Sequence, residues 1–255
     1  MPFCGGVRAS PGLSEVMTRD LPRRLHPLCQ GGSVIRSTAA RAALATALFG
    51  ALLAPGGSSP AAGTETLPAF RSTVRTIDAE LAGRMTYTWR TGCPVPLRDL
   101  RYLRVSFVRF DGTAGYGRMV VHADVARSVV GVFRALYEQR FPIRRMRLVD
   151  AYRGSDDASM AANNTSAFNC RRVTGGTSWS EHSYGRAIDL NPIQNPYVAG
   201  STVAPPAGAA YVDRSPLRKG MVTRGVRSAF ASIGWSWGGS WNTKKDYQHF
   251  SATGR

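Results

Sequence analysis

From Leu67 onward, Phe70, Val74, Ile77 and Leu81 recur at steps of four, three and four, with Arg71, Arg75 and Asp78 between them. That spacing predicts an amphipathic helix. Residues 100–109 are rich in β-branched and aromatic side chains; Asp111-Gly112, Gly115 and Gly117 then turn the chain toward a second apolar run at 117–123. This predicts a strand, a turn and a second strand. Asp124 stands where a cap is wanted, before a helix carrying Val125, Val129, Val130, Phe133, Leu136 and Tyr137, with Pro142 beyond its end. Residues 146–152 read as a buried strand, the polar stretch 154–181 as a long loop of the functional kind, and 187–190 as a short strand. Residues 195–220, with four prolines, read as a surface excursion. A last helix carries Val222, Val226, Phe230 and Ile233 up to Gly234, and a tryptophan-rich hairpin closes the chain. With no internal repeat, the pattern describes one α+β domain whose polar and aromatic segments gather after residue 150.

The first 63 residues follow another logic. Residues 42–54 form an apolar, alanine-rich stretch behind Arg36 and Arg41 and ahead of a Gly/Ser/Pro segment, the three-part layout of a signal peptide. Cleavage is expected between Ala61 and Thr64, and Met17 is an alternative start. Residues 64–92 then form the predicted helix and a linker, and 93–255 the functional domain. No run of 18 apolar residues follows residue 64, so no transmembrane segment is expected in the mature chain.

With 255 residues and 43% of them hydrophobic, the chain can bury a core, which excludes intrinsic disorder. The charge is lopsided, at +17, and only Lys219, Lys244 and Lys245 of the basic residues are lysines. Six of the 33 basic and two of the 16 acidic residues precede residue 64, which leaves the mature chain at +13. Such a field attracts polyanions of any kind, among them the anionic polymers of a bacterial wall. No nucleic-acid motif accompanies it, so a specific nucleic-acid partner is not expected. Beyond the leader only Cys93 and Cys170 remain, and in an oxidising compartment a lone pair is most simply a disulfide. Zinc ligation by these two lacks any Cys-x-x-Cys spacing.

His182 and His249 stand in segments unlike ordinary core sequence. Asp189 lies inside an otherwise apolar strand, where an ionised carboxylate costs several kcal/mol unless a cation, a metal or hydrogen bonds meet it. His182, Asp189 and His249 supply three ligands of the type zinc takes and leave a fourth position for water, as catalytic sites do. Asp246, three residues before His249, is placed to act as general base. Arg153 is the first candidate for polarising a carbonyl oxygen, and Arg171 the second. His122, between a strand and a helix cap, reads as structural. Trp179, Trp235, Trp237 and Trp241 fit either a substrate groove or packing of the tail. Lys244 and Lys245 read as exposed, and the formal glycosylation acceptor Asn163-Asn164-Thr165 is discounted.

At these residues the chain resembles the VanY-like D-alanyl-D-alanine carboxypeptidases, zinc peptidases related to D,D-dipeptidases, L-alanyl-D-glutamate peptidases and the hedgehog domain. The family pattern S-x-H-x-x-G-x-A-x-D falls on Ser180, His182, Gly185, Ala187 and Asp189, and the downstream D/E-x-x-H on Asp246 and His249. The similarity runs from about Cys93 to Phe250. It implies a small antiparallel sheet with flanking helices, and one zinc ion held by His182, Asp189 and His249. It further implies Asp246 as base, Arg153 on the scissile carbonyl, and Ser180 behind the metal or facing substrate, with Arg171 a further substrate contact. The D,D-dipeptidase branch uses glutamate as base, so Asp246 argues against that activity. The expected role is hydrolysis of peptidoglycan stem peptides outside the cytoplasm, secreted, periplasmic or at the wall, with D-alanyl-D-alanine carboxypeptidase first. An L-alanyl-D-glutamate endopeptidase and a non-catalytic zinc-containing wall-binding module are the alternatives.

Overall fold

The computed structural model describes residues 66–255. The leader, its apolar core at 42–54 and its cleavage site lie outside the described residues. Among the described residues no helix is long and apolar enough to cross a membrane. The fold is α+β, built from small antiparallel sheets and short helices.

The first sheet contains β1 (Ser72–Thr76), β2 (Leu100–Val108) and β3 (Ala114–His122), with β2 in the centre. At the β2–β3 turn the Asp111 carboxylate accepts the Thr113 backbone N–H at 2.9 Å and Gly112 takes φ +88°. Alternation puts Leu103, Val105 and Phe107 of β2 and Met119 and Val121 of β3 on one buried face. Against that face packs α2 (Ala126–Glu138) through Val129, Val132, Phe133 and Leu136. Gly117 belongs to the same face, because a Cβ there would stand 2.1 Å from Met146 Sδ.

The strand–turn–strand and the following helix agree with the sequence pattern. The first predicted helix does not: residues 72–76 form β1, with Val74 opposite Leu103, and only Ala79–Gly83 are helical (α1), capped by Asp78. Phe70, Val74, Ile77 and Leu81 share no face. Phe70 packs on the main core, Val74 is exposed, and Ile77 and Leu81 join a second cluster with Met85, Leu100 and Tyr102. β-Branched Thr73, Val74 and Thr76 meet the open edge of β2, and that pairing outweighs helical spacing. Asp124 does not cap α2, whose N-cap Val125 makes no side-chain bond. It binds His122 Nδ1 at 2.6 Å and Arg186 instead.

Residues 149–152 form a 3-10 turn rather than a strand, and the expected loop at 154–181 contains α3 (Asp156–Ala161), capped by Ser155. Beyond it, β4 (Ala187–Asp189) is the short strand read from sequence. The excursion at 195–220 contains β5 (Tyr197–Ala199) and β6 (Thr202–Ala204), and α4 (Arg224–Ala231) follows, capped by Thr223. The tail is more than a hairpin. Of β7 (Ser236–Trp237), β8 (Lys245–Asp246) and β9 (His249–Ser251), the first and last join β4 in the order β4-β9-β7. β8 crosses to a third sheet in the order β6-β5-β8. Phe250 anchors this tail in the core, its ring 3.9 Å from that of Phe230.

Cys93 and Cys170 form the disulfide expected from sequence, with Cys170 buried in the second cluster. Closing a loop 77 residues apart constrains the unfolded chain by about 4 to 5 kcal/mol in the chain-entropy model. Replacing both cysteines by serine is therefore expected to lower unfolding free energy by about 2 to 5 kcal/mol in denaturant titration. An unchanged midpoint and slope would contradict a structural role for the bridge.

Candidate metal centre

Each motif position has a local structural reason. Ser180 is the N-cap of the 3-10 turn Glu181–Tyr184 and accepts the His182 N–H on its hydroxyl at 3.4 Å. Gly185 ends that turn at φ +66°, with room for no side chain: a Cβ would lie 2.6 Å from the His122 nitrogen. The chain then enters β4, where Ala187 is fully buried and Asp189 lies between the buried Ile188 and Leu190. Register supplies the rest, since Asp189 stands directly opposite His249 in the β4–β9 pair.

The three side chains converge. His182 Nε2 lies 3.2 Å from one Asp189 oxygen and His249 Nδ1 lies 3.0 Å from the other. One ligand atom from each falls within 4.8 Å of the other two, and all three residues are buried. The remaining ring nitrogens are occupied: His182 Nδ1 donates to the Ala167 carbonyl at 2.6 Å and His249 Nε2 to the Arg255 carbonyl at 2.9 Å. That pattern turns His182 Nε2 and His249 Nδ1 toward Asp189, and once their protons are displaced these are the nitrogens the rings would offer to a metal. Two nitrogens and a carboxylate, buried together, fit zinc.

Without a cation the cluster is held by its own charges. Burial works to raise the Asp189 carboxyl, but His182 and then His249 hold it well below the usual carboxylate range. Burial likewise works to lower His249, yet the hydrogen bond and charge of Asp189, with Asp246 behind, push it up to about 9. Asp246 sits on β8 opposite Tyr197 and presents a buried oxygen, Oδ1, with no hydrogen-bond partner. Burial pushes its carboxyl up to about 6, with His249 pulling it down and Asp189 pushing it up. A half-buried carboxylate with one buried, orphaned oxygen beside a candidate ligand cluster has the placement and basicity of a general base.

These groups line a cavity of about 940 Å³ that also contains Ser180 and Arg171. Arg153 does not line it; this residue closes the 149–152 turn with φ +56° and is exposed. Arg171 Nη2 pairs with Asp156 at 2.6 Å inside the cavity, and its Nε is a buried donor without an acceptor. Trp179 and Trp241 belong to the cavity, whereas Trp235 and Trp237 pack in and on the core. Lys244 also lines it, 5.2 Å from the Trp241 ring centre, and Lys245 donates to the Trp241 carbonyl. His122 is tied to Asp124, and Asn163 and Asn164 are buried in hydrogen bonds to Gln194 and Ser159, leaving no accessible glycosylation acceptor.

Sequence reading missed Asp156, the half-buried partner of Arg171, and Gln248, whose Oε1 is buried and unpaired and which stands between Asp246 and His249 in the chain. Asp156 carried one signal, an acidic pair opening a helix in a segment taken for a loop.

Residues 174–252 match the family model described as D-alanyl-D-alanine carboxypeptidase. Over this stretch the chain is similar to that carboxypeptidase family. The matched segment contains both motifs, all three clustered ligands and Asp246, and covers less than half of the chain. No curated protein and no solved structure matches the chain. The matched segment thus carries the resemblance read from Ser180–Asp189 and Asp246–His249, and the residues before 174 are placed by the fold alone.

Proposed function

We propose that the chain is an exported zinc-dependent peptidase that hydrolyses the stem peptide of peptidoglycan, acting as a D-alanyl-D-alanine carboxypeptidase. The observation that carries this reading is the buried His182–Asp189–His249 cluster inside the matched segment, with the unpaired carboxylate of Asp246 beside it. Export rests on the leader pattern at 42–54, and attraction to anionic wall polymers on the surplus of arginine.

His182, Asp189 and His249 hold the zinc ion, which supplies a Lewis acid for water and the scissile carbonyl. Asp246 accepts a proton from the attacking water on its unpaired oxygen and returns it to the leaving amine. Arg171, which lines the cavity, neutralises charge on the substrate oxygen, and Asp156 fixes its guanidinium. Trp179 and Trp241 give the peptide an apolar wall.

Arg171→Ala is accordingly expected to lower kcat by about 10²- to 10³-fold, while Arg153→Ala stays within a few-fold of wild type. The reverse ranking in steady-state kinetics would return the carbonyl role to Arg153. The activity itself is tested by mass spectrometry of a stem pentapeptide ending in D-alanyl-D-alanine. Loss of one alanine supports the carboxypeptidase reading; cleavage only at the L-alanyl-D-glutamate bond replaces it with the endopeptidase.

A further inference from the structure

His182 and His249 both place their outer nitrogen on a main-chain oxygen, but from different parts of the chain. Ala167 lies in the buried core, whereas Arg255 belongs to a segment that begins beyond the family match at residue 252. That segment is folded back on the cluster by several bonds. The Ala252 N–H donates to the Arg186 carbonyl at 3.1 Å, and the Trp241 indole N–H to the Gly254 carbonyl at 2.8 Å. Gly254 takes φ +75°, a turn that brings Arg255 round to the site. There the Arg255 main-chain oxygen accepts both His249 Nε2 at 2.9 Å and the Ser251 hydroxyl at 2.8 Å. Thr253, Gly254 and Arg255 all line the cavity.

We propose that Thr253–Arg255 is a positioning segment for zinc, in which the Arg255 main-chain oxygen holds His249 in the tautomer and ring orientation that ligation requires. An acceptor 2.9 Å from Nε2 keeps the proton on that nitrogen. The lone pair of Nδ1 is then directed at the metal position, and an outer acceptor also raises ligand basicity. Trp241, whose ring centre lies 5.7 Å from that of His249, anchors this arrangement through Gly254. Because the acceptor is a main-chain oxygen, the identity of the Arg255 side chain is immaterial. The proposal rests on the zinc reading above, and its test separates the two.

The experiment measures Zn²⁺ affinity of the purified protein by competition with a chromophoric chelator, with no substrate present. Deletion of Gly254 and Arg255 is expected to weaken zinc binding by about 10- to 100-fold, the cost of losing an outer partner of a metal-bound histidine. Arg255→Ala, which keeps the main-chain oxygen, is expected to retain wild-type affinity. Trp241→Phe keeps the aromatic wall but loses the anchor, so its expected affinity is weaker than wild type and tighter than the deletion. It also serves should the shortened chain fold poorly. Wild-type affinity in both the shortened chain and Trp241→Phe would overturn the positioning role with the zinc site intact. Failure of the wild type to bind zinc at all would overturn the metal reading and this proposal together.

Discussion

Asp246→Asn is expected to lower kcat by about 10²- to 10⁴-fold, the range in which a positioned general base contributes, with zinc content unchanged. The substitution keeps the shape of the side chain and removes only its ability to take a proton. Three further readouts follow from the position of this carboxyl. Burial sets it near 6 in the metal-free protein, and a neighbouring cation lowers it, so wild-type kcat/KM is expected to fall on the acid side below about pH 6. The residual activity of Asp246→Asn lacks that acid limb. Stability moves the other way. A carboxyl raised on folding binds its proton more tightly in the native state, so folding loses stability as pH climbs from about 4 to 6 and does not regain it above. Metal-free Asp246→Asn should therefore melt above metal-free wild type at pH 7. An asparagine variant with undiminished kcat would remove Asp246 from the chemistry.

Asp189→Ala is expected to have the second large effect, on the metal rather than on proton transfer. Asp189 contacts both histidines, at 3.2 and 3.0 Å, and removing it leaves two ligands where zinc takes three. Zinc affinity should fall by more than the ~100-fold that an outer partner costs. His249 responds as well: burial already disfavours its charge, and without the carboxylate its value drops from about 9 toward or below that of free histidine. The raised value contributes stability below about pH 6.5 that is lost as pH rises through 9, and Asp189→Ala abolishes this dependence. Breaking the buried cluster also costs about 3 to 5 kcal/mol, the penalty of stranding a buried charge. His182→Ala should share the loss of zinc. Wild-type zinc affinity in either variant would exclude this cluster as the metal site.

The site was legible in the sequence because its motif encodes local geometry as well as chemistry. Ser180 caps a turn, Gly185 ends it where a Cβ would strike His122, and Asp189 follows in a strand whose neighbours are apolar. A carboxylate in such a strand demands a partner, and that demand can be read from residue order alone. The hairpin β2–β3 and helix α2 were legible for a related reason, since period and turn chemistry agree. The first predicted helix failed because Thr73, Val74 and Thr76 satisfy β2, a partner some thirty residues away that periodicity does not register. Of the two candidate arginines, Arg171 lines the cavity and pairs there with Asp156, on a helix the sequence pattern does not indicate, whereas Arg153 is not among the lining residues. Main-chain acceptors such as Ala167 and Arg255 carry no side-chain signature, so no inspection of residue types would find them.

The measurement that bears most directly on the account is the metal content of the wild-type protein, by native mass spectrometry after exposure to zinc and then to a strong chelator. The account predicts one zinc ion per chain, removed by the chelator together with peptidase activity and restored with it. A chain that takes up no zinc, or that cleaves the stem peptide equally well after the metal has been stripped, would contradict it.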